Sequence, residues 1–102
     1  TAPRCAECGS IIKPDVVLFG EHIYNYMDAR EMILSAQLLI VIGSSLTVYP
    51  LAGFVREFCT FTQDLIIINK GPTHLDHAAL IKIGIDTDTT GAVLEKIYKH
   101  LQ

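Results

Sequence analysis

Five apolar residues in a row, Leu38 to Ile42, run into Gly43-Ser44-Ser45, and a Pro at position 50 opens the next helical pattern. A short unbroken apolar run bounded by Gly and Ser predicts a strand buried on both faces. Upstream, Ala29, Met32, Ile33 and Ala36 recur at i, i+3, i+4 and i+7, which predicts a helix from Ala29 to about Ala36 with Asp28 as its cap. Downstream, Leu51, Phe54, Val55 and Phe58 repeat that spacing, and Pro50 suits the first position of their helix. Leu65 to Ile68 is a second continuous apolar run, closed by Asn69-Lys70-Gly71-Pro72. A short helical turn over Leu75 to Ala79, a weaker strand over Leu80 to Ile85 and a closing helix follow. Thr90 caps that last helix, with Val93, Leu94, Ile97 and Leu101 expected inward. Helices and strands therefore alternate, and the fold class is α/β: a parallel sheet with helices on both faces.

The first quarter of the chain lacks this order. Thr1 to Ile12 shows no clear period and reads as a loop with room for one short strand. Lys13-Pro14-Asp15 is a turn signal, and Val16 to Phe19 is a short extended apolar run ending at Gly20-Glu21.

Composition narrows the function. The 102 residues make one domain, half of them hydrophobic and 19% charged, which allows a packed core in a soluble chain. A net charge of −3 without a basic stripe argues against a nucleic-acid surface. No apolar run approaches the ~20 residues that span a bilayer. The chain opens without Met, without a signal-peptide pattern and just before a Cys-x-x-Cys, so it reads as though cut from something longer. Three cysteines, two of them close together, do not suggest a secreted disulfide framework, and the expected compartment is the cytoplasm.

Candidate chemistry sits at three places. Cys5-Ala6-Glu7-Cys8-Gly9 has the shape of a metal knuckle in which two thiolates grip one Zn²⁺. A structural zinc site takes four ligands, so the other two must come from elsewhere; a redox pair or two free thiols are the competing readings. Cys59 falls at an apolar position mid-helix and reads as core. Gly43-Ser44-Ser45 and Asn69-Lys70-Gly71 both follow predicted parallel strands, where ligands bind in open α/β sheets. Together they read as half of a dinucleotide site, without the G-x-G-x-x-G loop that cradles a pyrophosphate. Asp15, Glu21 and His22 are candidate acids or bases, but no nucleophile pairs with them in sequence.

Four stretches, C-A-E-C-G at Cys5 to Gly9, K-P-D-V-V-L-F-G-E at Lys13 to Glu21, G-S-S-L-T-V-Y-P at Gly43 to Pro50 and I-N-K-G-P-T at Ile68 to Thr73, resemble the sirtuin family of NAD-dependent protein deacylases in the family's own order. The resemblance implies the C-terminal part of a Rossmann-like domain over 23–102. It also implies half of a small zinc-ribbon module over 1–22, with Cys5 and Cys8 as one ligand pair. It implies NAD contacts by Gly43, Ser44 and Ser45 to the phosphate and ribose region. Asn69, Lys70 and Gly71 would hold the adenosine ribose, and Thr90 the adenine, with Thr89 and Asp86 as rivals. An acyl-lysine peptide would add as a strand between Phe19-Gly20-Glu21 and Thr47-Val48-Tyr49, with Val17 lining the channel near the acyl-lysine.

The implied activity is transfer of an acyl group from lysine to ADP-ribose with release of nicotinamide. The family's His base, pyrophosphate loop and first Cys-x-x-Cys have no match here, and none of His22, His74, His77 or His100 corresponds to that base. These 102 residues alone are therefore expected to be inactive. A non-catalytic nucleotide- or peptide-binding module on the same fold is the alternative. An incomplete sheet would expose an edge that invites self-association, through which two copies could complete a Cys₄ zinc site.

Overall fold

The two continuous apolar runs become neighbouring parallel strands. In the computed structural model, which describes residues 1–61, 64–84 and 90–102, α1 spans Tyr26–Ser35, β1 Leu39–Ile42, α2 Leu51–Phe61, β2 Leu65–Ile68, a 3-10 turn Asp76–Ala78, β3 Ile81–Ile83 and α3 Thr90–Leu101. This is the element order read from the sequence. The strands lie in the order β1-β2-β3, all parallel, with Val41 beside Ile67 and Ile67 beside Lys82. Ile85, Asp86 and Thr89, and the side chain of Leu101, lie outside the described residues.

Successive side chains of a strand point to opposite faces, so the register sorts the sheet into two surfaces. Val41, Leu65 and Ile67 share one surface and pack with Val55 and Phe58 of α2, together with Leu46 and Leu75. Phe58, Val55, Leu65 and Ile67 are fully buried. Each such side chain contributes about 1.5–3 kcal/mol through removal from water. Ile33 and Leu34 of α1 pack against the margin of this cluster. Helix α1 is fastened to α2 by an edge-on contact of the Tyr26 and Phe54 rings, 4.9 Å between centroids, and by a two-point ion pair between Arg30 and Glu57.

The other surface corrects the expectation of a strand buried on both faces. Register places Ile40, Ile42, Ile66, Ile68, Ile81 and Ile83 there. Ile68 is fully buried, but Ile40, Ile42 and Ile81 stay between 41% and 47% exposed. Only Val41 of β1 is buried. The helical layer that packs on the sheet, α2 with α1 beside it, covers the Val41 surface alone.

Three helix assignments also shift. Helix α1 begins at Tyr26 because Asn25 takes a left-handed conformation (φ 56°) that starts the turn, so Asp28 lies in the first turn instead of capping it. Met32 is 74% exposed, and the inward face is carried by Ile33, Leu34 and Ala36. Pro50 precedes α2 and accepts the N–H of Phe54, while Leu51 is exposed. Thr90 is the first residue of α3, and Leu94 and Ile97 are exposed at 39% and 36% instead of inward. Val16 to Phe19 forms no strand; Arg4 and Ile11 make a single antiparallel bridge in the N-terminal loop. No helix among the described residues is long and apolar enough to cross a membrane.

Candidate functional site

Two loops far apart in sequence close around one cavity of about 400 Å³. Val17, Phe19, Gly20 and Glu21 form one wall, and Val48 and Tyr49 form the other. All six are residues singled out above. Leu18, Ile23 and Pro50 also line the cavity and were not. Their neighbours in sequence were the available signal, since a loop that presents one side chain to a slot presents its flanks as well.

Each wall is held by a different device. The 17–21 loop turns at Gly20, whose φ of +86° is a region that side-chain-bearing residues rarely adopt. The Glu21 carboxylate closes the loop from inside, accepting the Leu18 N–H at 3.0 Å and both oxygens' bonds from the Lys13 ammonium at 2.9 and 3.0 Å. The Leu18 N–H, and then Lys13, hold the Glu21 carboxyl below its ordinary value of 4.5. Because the folded value is the lower one, this clamp is complete above pH 4.5 and is lost as the pH falls through the folded value beneath it. The protection factor of the Leu18 amide, its exchange rate set against the unprotected rate at the same pH, should therefore fall in acid. Glu21→Gln should give the low protection factor already at neutral pH, and an amide equally protected in that variant contradicts the clamp.

The opposite wall leans on α2. The Tyr49 ring lies over Gly53, where a Cβ would fall 3.1 Å from Cε1 and 3.2 Å from Cδ1 of the ring. Arg56 donates from Nη1 to the Tyr49 hydroxyl at 3.2 Å. The helix thus fixes the direction in which this aromatic wall stands. Phe19 opposite is 92% exposed and Tyr49 63%, a pair of apolar surfaces facing open space. Such surfaces are normally covered by a partner or ligand.

The chain enters the 48–50 wall from the first of two polar strand ends. The Gly43 N–H donates to Ile68 O at 2.9 Å and the Asn69 N–H to Ile83 O at 3.1 Å, so both polar loops begin at the carboxyl edges of neighbouring strands. Gly43 has φ +66° and turns the chain away from the sheet. Ser44 Oγ then accepts the Leu46 N–H at 3.2 Å, and Ser45 Oγ pairs with Thr47 Oγ1 at 2.9 Å. Leu46 itself is left-handed (φ 55°) and 3% exposed, a strained backbone held by the burial of its side chain.

At the second loop, Asn69 donates from Nδ2 to Gly71 O at 3.0 Å, while Lys70 is exposed. Asp76 braces the far side, accepting from Lys82, the Thr73 hydroxyl and the Thr73 N–H. Lys82 first, then Thr73, pull the Asp76 carboxyl down to about 2 from an ordinary 3.8. Lys82 was not singled out from sequence.

Cys5 and Cys8 occupy a tight turn in which Gly9 donates to Cys5 O at 3.0 Å and Cys5 to Ser10 O at 2.9 Å. The Cys8 thiol is lowered by hydrogen bonding to Ser10 and, to a lesser extent, by the Cys5 side chain beside it. A thiol of lowered pKa beside a second sulfur suits a metal-thiolate pair. Among the described residues no group of three or more His, Cys, Asp or Glu gathers to hold a metal, so the pair offers two donors of the four. Cys59 is half-buried against the core, and burial pushes its thiol pKa up, in keeping with a packing role.

The sequence profile of the Sir2 family matches residues 1–50. An NAD-dependent protein deacetylase of Sulfurisphaera tokodaii is 47% identical over 81 residues, which cover 79% of this chain and 32% of the relative. One from Staphylococcus epidermidis is 43% identical over 95 residues, covering 91% of this chain and 37% of the relative. The chain thus spans about a third of the length of these curated relatives. Among solved structures, a Sir2 protein bound to an acetylated peptide and a Sir2–p53 peptide–NAD+ complex each superpose with a TM-score of 0.82 at 32% identity. Each match covers 97% of this chain and 41% of the other. The profile over residues 1–50, the relatives and the superposed backbones all point to one family, and the chain belongs to the Sir2 family.

Proposed function

We propose that this chain forms the part of an NAD-dependent protein-lysine deacylase that grips the acyl-lysine peptide and the phosphate and ribose portions of NAD. The observation that carries the reading is the slot itself: the 17–21 and 48–50 loops face each other across one cavity, and the second wall continues in sequence from the polar end of β1, which is bonded to the end of β2. Backbone groups on both loops can pair with an extended peptide, as in strand addition, and the apolar walls cover the aliphatic stem of its lysine. Val17 lines the channel end nearest the acyl group.

Gly43, Ser44 and Ser45 offer N–H groups and hydroxyls to a phosphate and ribose. Asn69 directs Nδ2 inward to Gly71, which leaves the oxygen of the same amide to accept a ribose hydroxyl, with Lys70 and Gly71 beside it. Thr90, opening α3, takes the adenine contact. When bound, NAD supplies the ribose carbon that receives the acyl group; the residues of this chain bind and orient. Residues 1–22 act as half of a zinc-bearing module, with Cys5 and Cys8 as its thiolates, and residues 23–102 as the C-terminal part of the nucleotide-binding domain. Three free cysteines favour a reducing, cytoplasmic setting.

The test is nicotinamide release from NAD in the presence of an acetyl-lysine peptide. The polypeptide as encoded by its gene is expected to be active and to lose peptide affinity about tenfold on Tyr49→Ala, on the scale of an aromatic anchor. Residues 1–102 alone are expected to release none, because no residue matches the family's His base. Absence of nicotinamide release by the encoded polypeptide would overturn the reading.

A further inference from the structure

Lys82 is a cation on the core-facing surface of the sheet. In register it lies beside Ile67, which is fully buried, and its side chain is only 25% exposed. A charge in that position is costly unless paired and hydrogen-bonded, so its partners are informative. The ammonium donates to Gly71 O at 2.9 Å and to Asp76 Oδ1 at 2.8 Å. The Gly71 oxygen is also the acceptor of the Asn69 side chain at 3.0 Å. A carbonyl oxygen has two lone pairs, and here Lys82 and Asn69 take one each.

The carboxylate completes the brace. Asp76 Oδ1 also accepts the Thr73 hydroxyl at 2.6 Å, and Oδ2 the Thr73 N–H at 3.0 Å. Two of the other ion pairs among the described residues are different in kind. Lys13–Glu21 and Lys99–Glu95 are local and at least 41% exposed on every side chain. Lys82 instead ties β3 to a loop eleven residues earlier.

We propose that Lys82 is a positioning residue for nucleotide binding: with Asp76 it holds the Gly71 carbonyl where Asn69 must meet it, and so sets the amide of Asn69 toward the ribose. This rests on the nucleotide reading above. Without the ammonium, Gly71 O keeps a single donor and the Asp76 carboxylate loses its cation. The Asn69 amide is then free to turn.

The experiment is calorimetric titration of the encoded polypeptide with ADP-ribose, with an acetyl-lysine peptide as control ligand. The Asn69 side-chain amide protons are followed by NMR. Lys82→Met is expected to weaken ADP-ribose binding about tenfold, on the scale of a charge-assisted hydrogen bond, and to shift the Asn69 amide resonances. Peptide affinity should stay within about twofold of the original by the same measure. Lys82→Arg, which keeps a donor and the charge, should restore most of the loss. Should Lys82→Met fail to fold, Asp76→Asn gives the second reading, with a loss of about threefold expected. A folded Lys82→Met or Asp76→Asn protein with unchanged ADP-ribose affinity overturns the positioning role alone. An unmutated protein that binds no ADP-ribose overturns the nucleotide reading, and this role with it.

Discussion

Phe58→Ala is expected to cost about 3–5 kcal/mol of folding free energy, the largest effect of any single change considered for this chain. Phe58 is fully buried and joins α2 to both of the strands that carry the polar loops. Truncation removes the ring from contact with a cluster that includes Val41, Leu65 and Ile67, and β2 and α2 flank the gap on opposite sides, so the site has little freedom to collapse. Domains of this size are stable by only about 5–15 kcal/mol, so the variant should sit close to unfolding at room temperature. A urea titration of the encoded polypeptide checks it: the midpoint should fall by more than about 1 M at the slopes usual for small domains. Phe58→Leu should lose less than half as much, because it keeps most of the buried surface. Equal midpoints for Phe58→Ala and the parent would mean that the ring is not part of the core.

Gly43→Val should be the most damaging change at the edge proposed to meet the nucleotide. Gly43 has φ +66°, and a Cβ added there would meet nothing within 4 Å. The obstacle is therefore the backbone conformation and not a neighbour. A β-branched residue at this φ is expected to cost about 1–2 kcal/mol or more. The chain can avoid that cost only by re-aiming Ser44 and Ser45. ADP-ribose affinity should then fall about tenfold or further, at 1.4 kcal/mol per decade. Gly43→Asn is the discriminating control, since Asn tolerates the left-handed region, and it should retain most of the stability. Thermal midpoints in the order Gly, Asn, Ala, Val support the backbone account; equal midpoints for Asn and Val refute it.

What could be seen in the residues alone was whatever depended on local pattern. The runs at 39–42 and 65–68, the helix over 51–61 and the order of all seven elements follow from apolar spacing and from Gly, Pro and Asn punctuation. The one-sided burial of β1 did not, for a physical reason. An uninterrupted Leu-Ile-Val-Ile run has no polar residue to mark a solvent face, so it reads the same whether one surface is covered or two. Helix α1 was displaced because Asn25 turns the chain early and Tyr26 seats on Phe54, a tertiary contact with no local signature.

The facing of the 17–21 and 48–50 loops lay beyond periodicity altogether, and only the family resemblance indicated it. Leu46 and Lys82 went unnoticed for opposite reasons. Leu46 looks like an ordinary loop residue, and its strain is a matter of φ. Lys82 looks like a solvated strand residue, although a lysine flanked by isoleucines with Asp76 six positions earlier was a legible hint.

The seat of Tyr49 on Gly53 has a wider consequence for how such a chain can diverge. An aromatic ring at one position and the lack of a side chain four residues later are a single inherited choice, since any larger residue at 53 requires the ring to give way by a few tenths of an ångström. Lineages that enlarge position 53 must reshape or shrink position 49 in step. Under the function proposed above, the range of peptides a descendant accepts can then drift through a helix residue that does not line the cavity.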